Sequence, residues 1–322
     1  MAHYDVFRHH LSMKFPAYGH ALWDPDPGNL YPAVEVGDVG HIHQGKFHRH
    51  FNVLLPADHP SHLNFGVPES HEQLTLSMRN HIVIGRLSPQ NFCSAGVALG
   101  PESDDRQANG PKKEGEVTFS CRRNQGAVLC LPIQAKGEDT VASTDFGKWM
   151  IRNIDRWFAW ARQLGLGINC MEDIILVTGT HRTRTWTNVA FPGGQEDAQA
   201  SFGVKMDYRG DIFALHWEFS HERDQGAVFN CGPSGENLPE DQCIFIRGFR
   251  ATRKFKIFPP RLRAAAGPNP DPKGYDEEPD AELIPIPAIP EVKLPLFFGI
   301  FWSSSWFSKY RDPLHILLKY IA

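Results

Sequence analysis

Four histidines fall within ten residues of the stretch HIHQGKFHRH: His41, His43, His48 and His50. Alternate residues of a strand project to one face, so two or three of these imidazoles could meet a divalent cation. Glu35 or Asp38 could add a carboxylate to such a set. A cation held in that way would activate water and make the chain a hydrolase or another metalloenzyme. The competing reading is a histidine-coated surface, the commoner use of such runs, and on that reading no metal or other cofactor is expected.

Other catalytic signatures are weaker. Cys231-Gly232-Pro233-Ser234-Gly235-Glu236 lacks the G-x-S-x-G spacing of a nucleophile elbow, and Pro233 is ill suited to a strand-to-helix turn, so a loop is expected there. The sequence contains no G-x-x-x-x-G-K-[ST], no G-x-G-x-x-G and no H-E-x-x-H. Six cysteines occur without a C-x-x-C pair, and a Cys/His nucleophile rests on nothing more than their presence. No catalytic constellation is expected, and the chain reads as a non-enzymatic protein.

The basic residues are more informative. Between Arg247 and Arg263 there are seven, Arg247, Arg250, Arg253, Lys254, Lys256, Arg261 and Arg263, with no acid and with Phe245, Phe249, Phe255 and Phe258 among them. Basic and aromatic residues on an exposed strand suit an anionic surface; a solvated sheet edge guarded by cations is the plainer alternative. Lys148, Arg152, Arg156 and Arg162 lie among tryptophans in STDFGKWMIRNIDRWFAWARQLGLG, again an interfacial pattern. Arg8 and Lys14 add cations to a short N-terminal amphipathic stretch. The expected partner is anionic membrane lipid. Nucleic acid is not expected, because a net charge of -4 offers no positive excess to displace counterions from phosphates.

These residues need elements to hold them. With 322 residues, 41% hydrophobic and 22% charged, the chain can bury a core without disulfides. Gly 28, Pro 25 and a single long helical pattern predict an α+β fold, β-rich and mostly antiparallel. Tyr4, Phe7, Leu11 and Phe15 predict a helix stopped by Pro16. Phe146, Trp149, Met150, Ile154, Trp157, Phe158, Ala161 and Leu164 predict a long helix begun by Ser/Thr/Asp caps and closed by Gly165 and Gly167, with Trp160 opposite the apolar stripe. A hairpin is expected over 92–133 and a second over 200–232, with Phe202, Val204, Leu215, Trp217 and Phe219 alternating along it. Residues 173–191 read as two strands with a turn at Gly179, and 243–258 as the last strand of the body.

Phe119–Val128 recurs one hundred positions later as Phe219–Val228, with seven of ten positions identical. Each copy ends a hairpin's second strand, so the repeat is either a duplicated sheet corner or the mark of two equivalent, deployable hairpins.

The order of parts, a basic amphipathic helix, short strands, hairpin, long helix, strand, hairpin and a basic strand, resembles the pore-forming domain of the gasdermins over about residues 1–260. DIILVTGTHRT and LPEDQCIFIRGFRATR are similar to apolar strands of that family. The resemblance implies that the basic residues engage anionic lipid and that the hairpins rezip as membrane strands of a homo-oligomeric barrel in intracellular cell death or defence. Phe202, Val204, Leu215, Trp217 and Phe219 would then face lipid. The chain also resembles a family of basidiomycete fungal proteins, in which the Pro-rich segment runs almost directly into YRDPLH, whereas LPLFFGIFWSSSWFS intervenes here. A non-inserting module that binds a ligand or partner is the remaining alternative.

Three regions are expected: a body at 1–263, a Pro-rich acidic segment at 264–296 and an apolar tail at 297–322. The middle segment holds seven acids and two lysines, a net of -5, and would restrain the body by covering the basic strand. The N-terminus lacks an apolar secretory core, and no run reaches eighteen apolar residues, so a cytoplasmic protein that joins membranes on activation is expected.

Overall fold

A computed structural model of the chain describes residues 1–28, 32–62, 64–69, 71–76, 81–94, 97–99, 113–121, 125–192, 200–209, 212–218, 227–233, 237–253 and 260–264. The chain divides into two compact units, Met1–Pro272 and Lys273–Ala322, and the described residues all belong to the first. The acidic segment and apolar tail expected from the sequence, and the restraint assigned to them, lie outside the described residues.

The N-terminal pattern forms α1 (His3–Lys14). Phe7 and Leu11 are fully buried one turn apart, with Tyr4 and Phe15 packed beside them. Pro16 cannot donate the next helical bond, and a 3₁₀ turn at Pro16–Tyr18 leads to Gly19 at φ 92°. A side chain on Gly19 would overlap the Ile246 carbonyl oxygen, so only glycine lets the next residues join the sheet.

Those residues begin a series of strands: β1 (His20–Ala21), β2 (Asp38–His43), β3 (Lys46–Asn52), β4 (Ile82–Leu87), β5 (Gln90–Cys93), β6 (Val97–Leu99), β7 (Lys113–Cys121), β8 (Gly126–Leu131) and β9 (Ala135–Thr140). The long helix α2 (Ser143–Gln163) follows. After it come β10 (Ile175–Thr183), β11 (Thr187–Phe191), β12 (Ala200–Arg209), β13 (Ile212–Glu218), β14 (Val228–Cys231), β15 (Gln242–Thr252) and β16 (Arg261–Ala264).

The fold is α+β, as the sequence predicts. Among the described residues the first sheet has eight strands in the order β1-β15-β10-β2-β3, with β16 added to β15, β9 to β10 and β4 to β9. Two four-stranded sheets follow, β14-β11-β8-β5 and β13-β12-β7-β6.

One face of α2 supplies much of the core. Phe146, Met150, Ile154, Trp157 and Ala161 pack with Val39, Phe51, Val53, Ile174 and Leu176, and burial of each large side chain contributes about 1.5–3 kcal/mol. Three details differ from expectation. No side chain caps the start of α2: Ala142 is the N-cap, and its own N–H bonds Thr140 Oγ1 at 3.1 Å. Leu164, the last of the predicted stripe, is exposed beyond the end of the helix. Trp160, which the periodicity places opposite the core, meets Phe51 of β3 edge-on at 5.5 Å between centroids and His50 at 6.3 Å.

Gly179 is not a turn. β10 runs through it, and the strand pairing slips between Val177 and Gly179. A β-carbon at Gly179 would overlap the Asp139 carboxylate, so glycine serves a close approach within the sheet. The break falls instead at Arg184–Trp186, before β11.

Candidate functional site

The second and third sheets have matching strand orders. The chain runs from β5 into β6, from β7 into β8, from β11 into β12 and from β13 into β14, and each of these pairs occupies the same place in its own sheet. Two hairpins therefore lie side by side, one going out through β5 and β6 and returning through β7 and β8, the other out through β11 and β12 and back through β13 and β14. They are joined along β7 and β12, where Val204 is opposite Val117 and Phe202 opposite Phe119. They are joined again along β8 and β11, where Val189 is opposite Val128.

The internal repeat falls at equivalent points of the two return strands. Its first copy spans the passage from β7 to β8; its second spans the passage from β13 to β14, with Phe219 to Gly226 outside the described residues. Ala190 of β11 pairs with Ala127 on one side and with Val228 on the other, so the repeats flank one strand.

Four of the residues expected to insert, Phe202, Val204, Leu215 and Trp217, lie on strands of this ribbon. Val204 is opposite Trp217 and Met206 opposite Leu215, which places Phe202, Val204, Leu215 and Trp217 in one alternating set of register positions. Phe219 lies outside the described residues.

The expected lipid-binding cations sit in different environments. Lys148, Arg152 and Arg156 succeed one another at four-residue spacing on the outward side of α2, all exposed, with Arg152 over the Trp149 ring at 5.9 Å. Lys14 is exposed at the end of α1. Arg247 and Arg253 are paired with carboxylates. Arg247 grips Asp139 with Nε and Nη2 at 2.6 and 2.5 Å and donates to the Ala17 carbonyl at 3.3 Å. Arg253 meets Asp155 at 2.7 Å. Those carboxylates lie 108 and 98 residues away in sequence, so no local pattern could have revealed them. Arg8 and Arg250 are half-buried, and Lys254 and Lys256 lie outside the described residues.

The four clustered histidines do share a sheet face. His41 is opposite His48, and the β2–β3 pairing slips between Val39 and Gly40, which brings His50 beside His41. The His41 Nδ1 and His50 Nε2 atoms are 3.0 Å apart and the rings stack with 12° between planes. His48 also stacks with His41, at 5.3 Å between centroids, and His43 lies 6.1 Å from His48. Burial, reinforced by neighbouring imidazoles, pushes His41 down to about 4 and His50 to about 3, and lowers His48.

Stacking is a different arrangement from convergence on a cation. Among the described residues no three His, Cys, Asp or Glu side chains are placed to hold a metal ion. The carboxylate that was to complete the set is engaged elsewhere: Asp38 accepts from the Glu35 N–H at 2.8 Å and from Asn52 Nδ2 at 2.7 Å, and pairs with Arg49 at 3.0 Å. Burial pushes that carboxyl up to about 7, while Arg49 pulls it the other way.

One group escaped sequence reasoning. His20 is 1% exposed, and neither ring nitrogen has a hydrogen-bond partner. Only the glycine before it hinted at a tightly packed site.

Among the described residues no helix is long and apolar enough to cross a membrane, a statement that leaves strands aside. No protein-family model matches the chain, and no curated protein matches it.

Proposed function

We propose that this chain acts at anionic membranes as a gasdermin-like pore former, in which two hairpins open from the body and several copies assemble them into a barrel. The observation that carries this reading is the matched order of the two four-stranded sheets. A pair of adjoining hairpins, each long enough to be folded into two sheets, is the raw material that a β-barrel wall needs. β7 has nine residues and β12 ten, against the about 9–11 that a tilted membrane strand requires. The alternating set Phe202, Val204, Leu215 and Trp217 would face lipid, and the outward cations of α2 with Lys14 would hold the body against anionic headgroups. Association with membranes on activation from a cytoplasmic pool belongs to the same proposal.

Dye-loaded vesicles test it. The full chain is expected to release dye from phosphatidylserine-containing vesicles and not from phosphatidylcholine alone, with release suppressed by salt. Binding without release would favour the alternative of a non-inserting binding module. Neither binding nor release would remove the membrane from the account.

A further inference from the structure

His20 occupies an unusual position. A buried imidazole ordinarily has at least one partner, because an unsatisfied buried polar group costs about 1–3 kcal/mol, yet both its nitrogens lack one. The groups around it are cationic. The Ser12 hydroxyl of α1 accepts the Ala21 N–H at 3.1 Å, which fastens the helix to β1 directly after His20. Arg8 stands one turn earlier on the same helix face. On the other side His20 is opposite Ile246 of β15; the alternation along β15 puts Ile246, Gly248 and Arg250 on that face, although the pairing with β10 slips between Arg247 and Gly248.

Both arginines bear on the imidazole. Burial holds His20 well below its ordinary value, and the Arg250 and Arg8 charges push it the same way. Burial also lowers Arg250, with Arg8 adding to the effect. The Nε atoms of Arg8 and Arg250 are buried and lack partners, like the His20 nitrogens. Across the sheet Arg250 is opposite Arg263, a like-charge pair that is unfavourable by itself.

The neighbouring acids do not neutralise this group. Asp5 reaches Arg8 only at 3.7 Å. Asp173 draws on Arg250, but its Oδ2 already accepts the Asn169 and Cys170 N–H groups, each at 3.0 Å. Among the described residues no carboxylate lies within ion-pair distance of Arg250.

We propose that Arg8, His20 and Arg250, brought together where α1 packs on β1 beside β15, form a binding site for a phosphate-class oxyanion. Two guanidinium groups would donate charge-assisted hydrogen bonds and the imidazole N–H a third, giving partners to Arg8 Nε, Arg250 Nε and one ring nitrogen of His20. The site is separate from the outward cations of α2 and does not depend on insertion of the hairpins.

Calorimetric titration of the full chain with inorganic phosphate, at ionic strength matched with chloride, tests the site without any membrane. Saturable binding near one equivalent is expected, weakened at least tenfold in Arg250→Met, Arg8→Met and His20→Gln, with circular dichroism reporting the fold of each. A second arm uses vesicles bearing phosphatidic acid. Binding seen only there, and lost in Arg250→Met, assigns the same chemistry to a lipid phosphomonoester. Absence of binding in both arms, or binding that all three variants retain in full, overturns the proposal.

Discussion

His41 and His50 stack with their ring nitrogens 3.0 Å apart, and burial holds both imidazoles neutral. Their folded values, about 4 and about 3, lie below the ordinary 6.5 of the unfolded chain. The unfolded state therefore takes up protons first as pH falls. Stability present above pH 6.5 is lost progressively towards pH 4, at up to about 1.4 kcal/mol per pH unit for each histidine. His41→Gln with His50→Phe should flatten this acid limb in urea titrations between pH 7 and 4.5. An unchanged slope would mean that the pair titrates normally in the folded protein.

Asp38 and Arg49 are 0% and 4% exposed and 3.0 Å apart. Replacing Asp38 with Asn strands the guanidinium in the core, a change that typically costs about 3–5 kcal/mol. The measurement is urea unfolding at pH 8, where the carboxyl is ionised; a loss below 1 kcal/mol would show that Arg49 finds another partner.

Gly179→Ala places a methyl group against the Asp139 carboxylate that Arg247 grips. A loss of about 1–3 kcal/mol in thermal or urea unfolding is expected, the usual range for overpacking. In the Asp139→Ala background the same change should be milder, because the obstructing carboxylate is gone.

The outward cations of α2 should contribute to vesicle binding at about 1 kcal/mol each. Lys148→Glu, Arg152→Glu and Arg156→Glu together should weaken sedimentation with phosphatidylserine vesicles by about a hundredfold while leaving the fold intact, since none of the three is in the core. Binding equal to that of the wild type would place the contact on another surface.

The parts of this molecule legible in its sequence are those with a period. Phe7 and Leu11 in α1, and Phe146, Met150, Ile154 and Trp157 in α2, sit where helical spacing puts them. The repeat likewise marked two equivalent return strands before their partners were known. What the sequence concealed depends on distant residues. Gly179 looks like a turn until Asp139 is seen against it. Arg247 looks like a free cation until the same carboxylate is found in its grip. The four histidines alternate as predicted, but the rings of His41, His48 and His50 stack instead of converging on a cation. β16 was missed because Pro259 and Pro260 precede it, and Trp160 was misjudged because its partner Phe51 lies on β3, more than a hundred residues away in sequence.

The most direct test of the pore reading is dye release by the full chain carrying Leu215→Asp and Trp217→Asp. These residues belong to the alternating set on β13, opposite Met206 and Val204. Two carboxylates in that set would face hydrocarbon in a barrel wall, each at a penalty of a few kcal/mol near the bilayer centre. The account predicts that the double variant keeps its circular dichroism spectrum and its binding to phosphatidylserine vesicles, and releases no dye. Release at the wild-type rate from a folded double variant would contradict it.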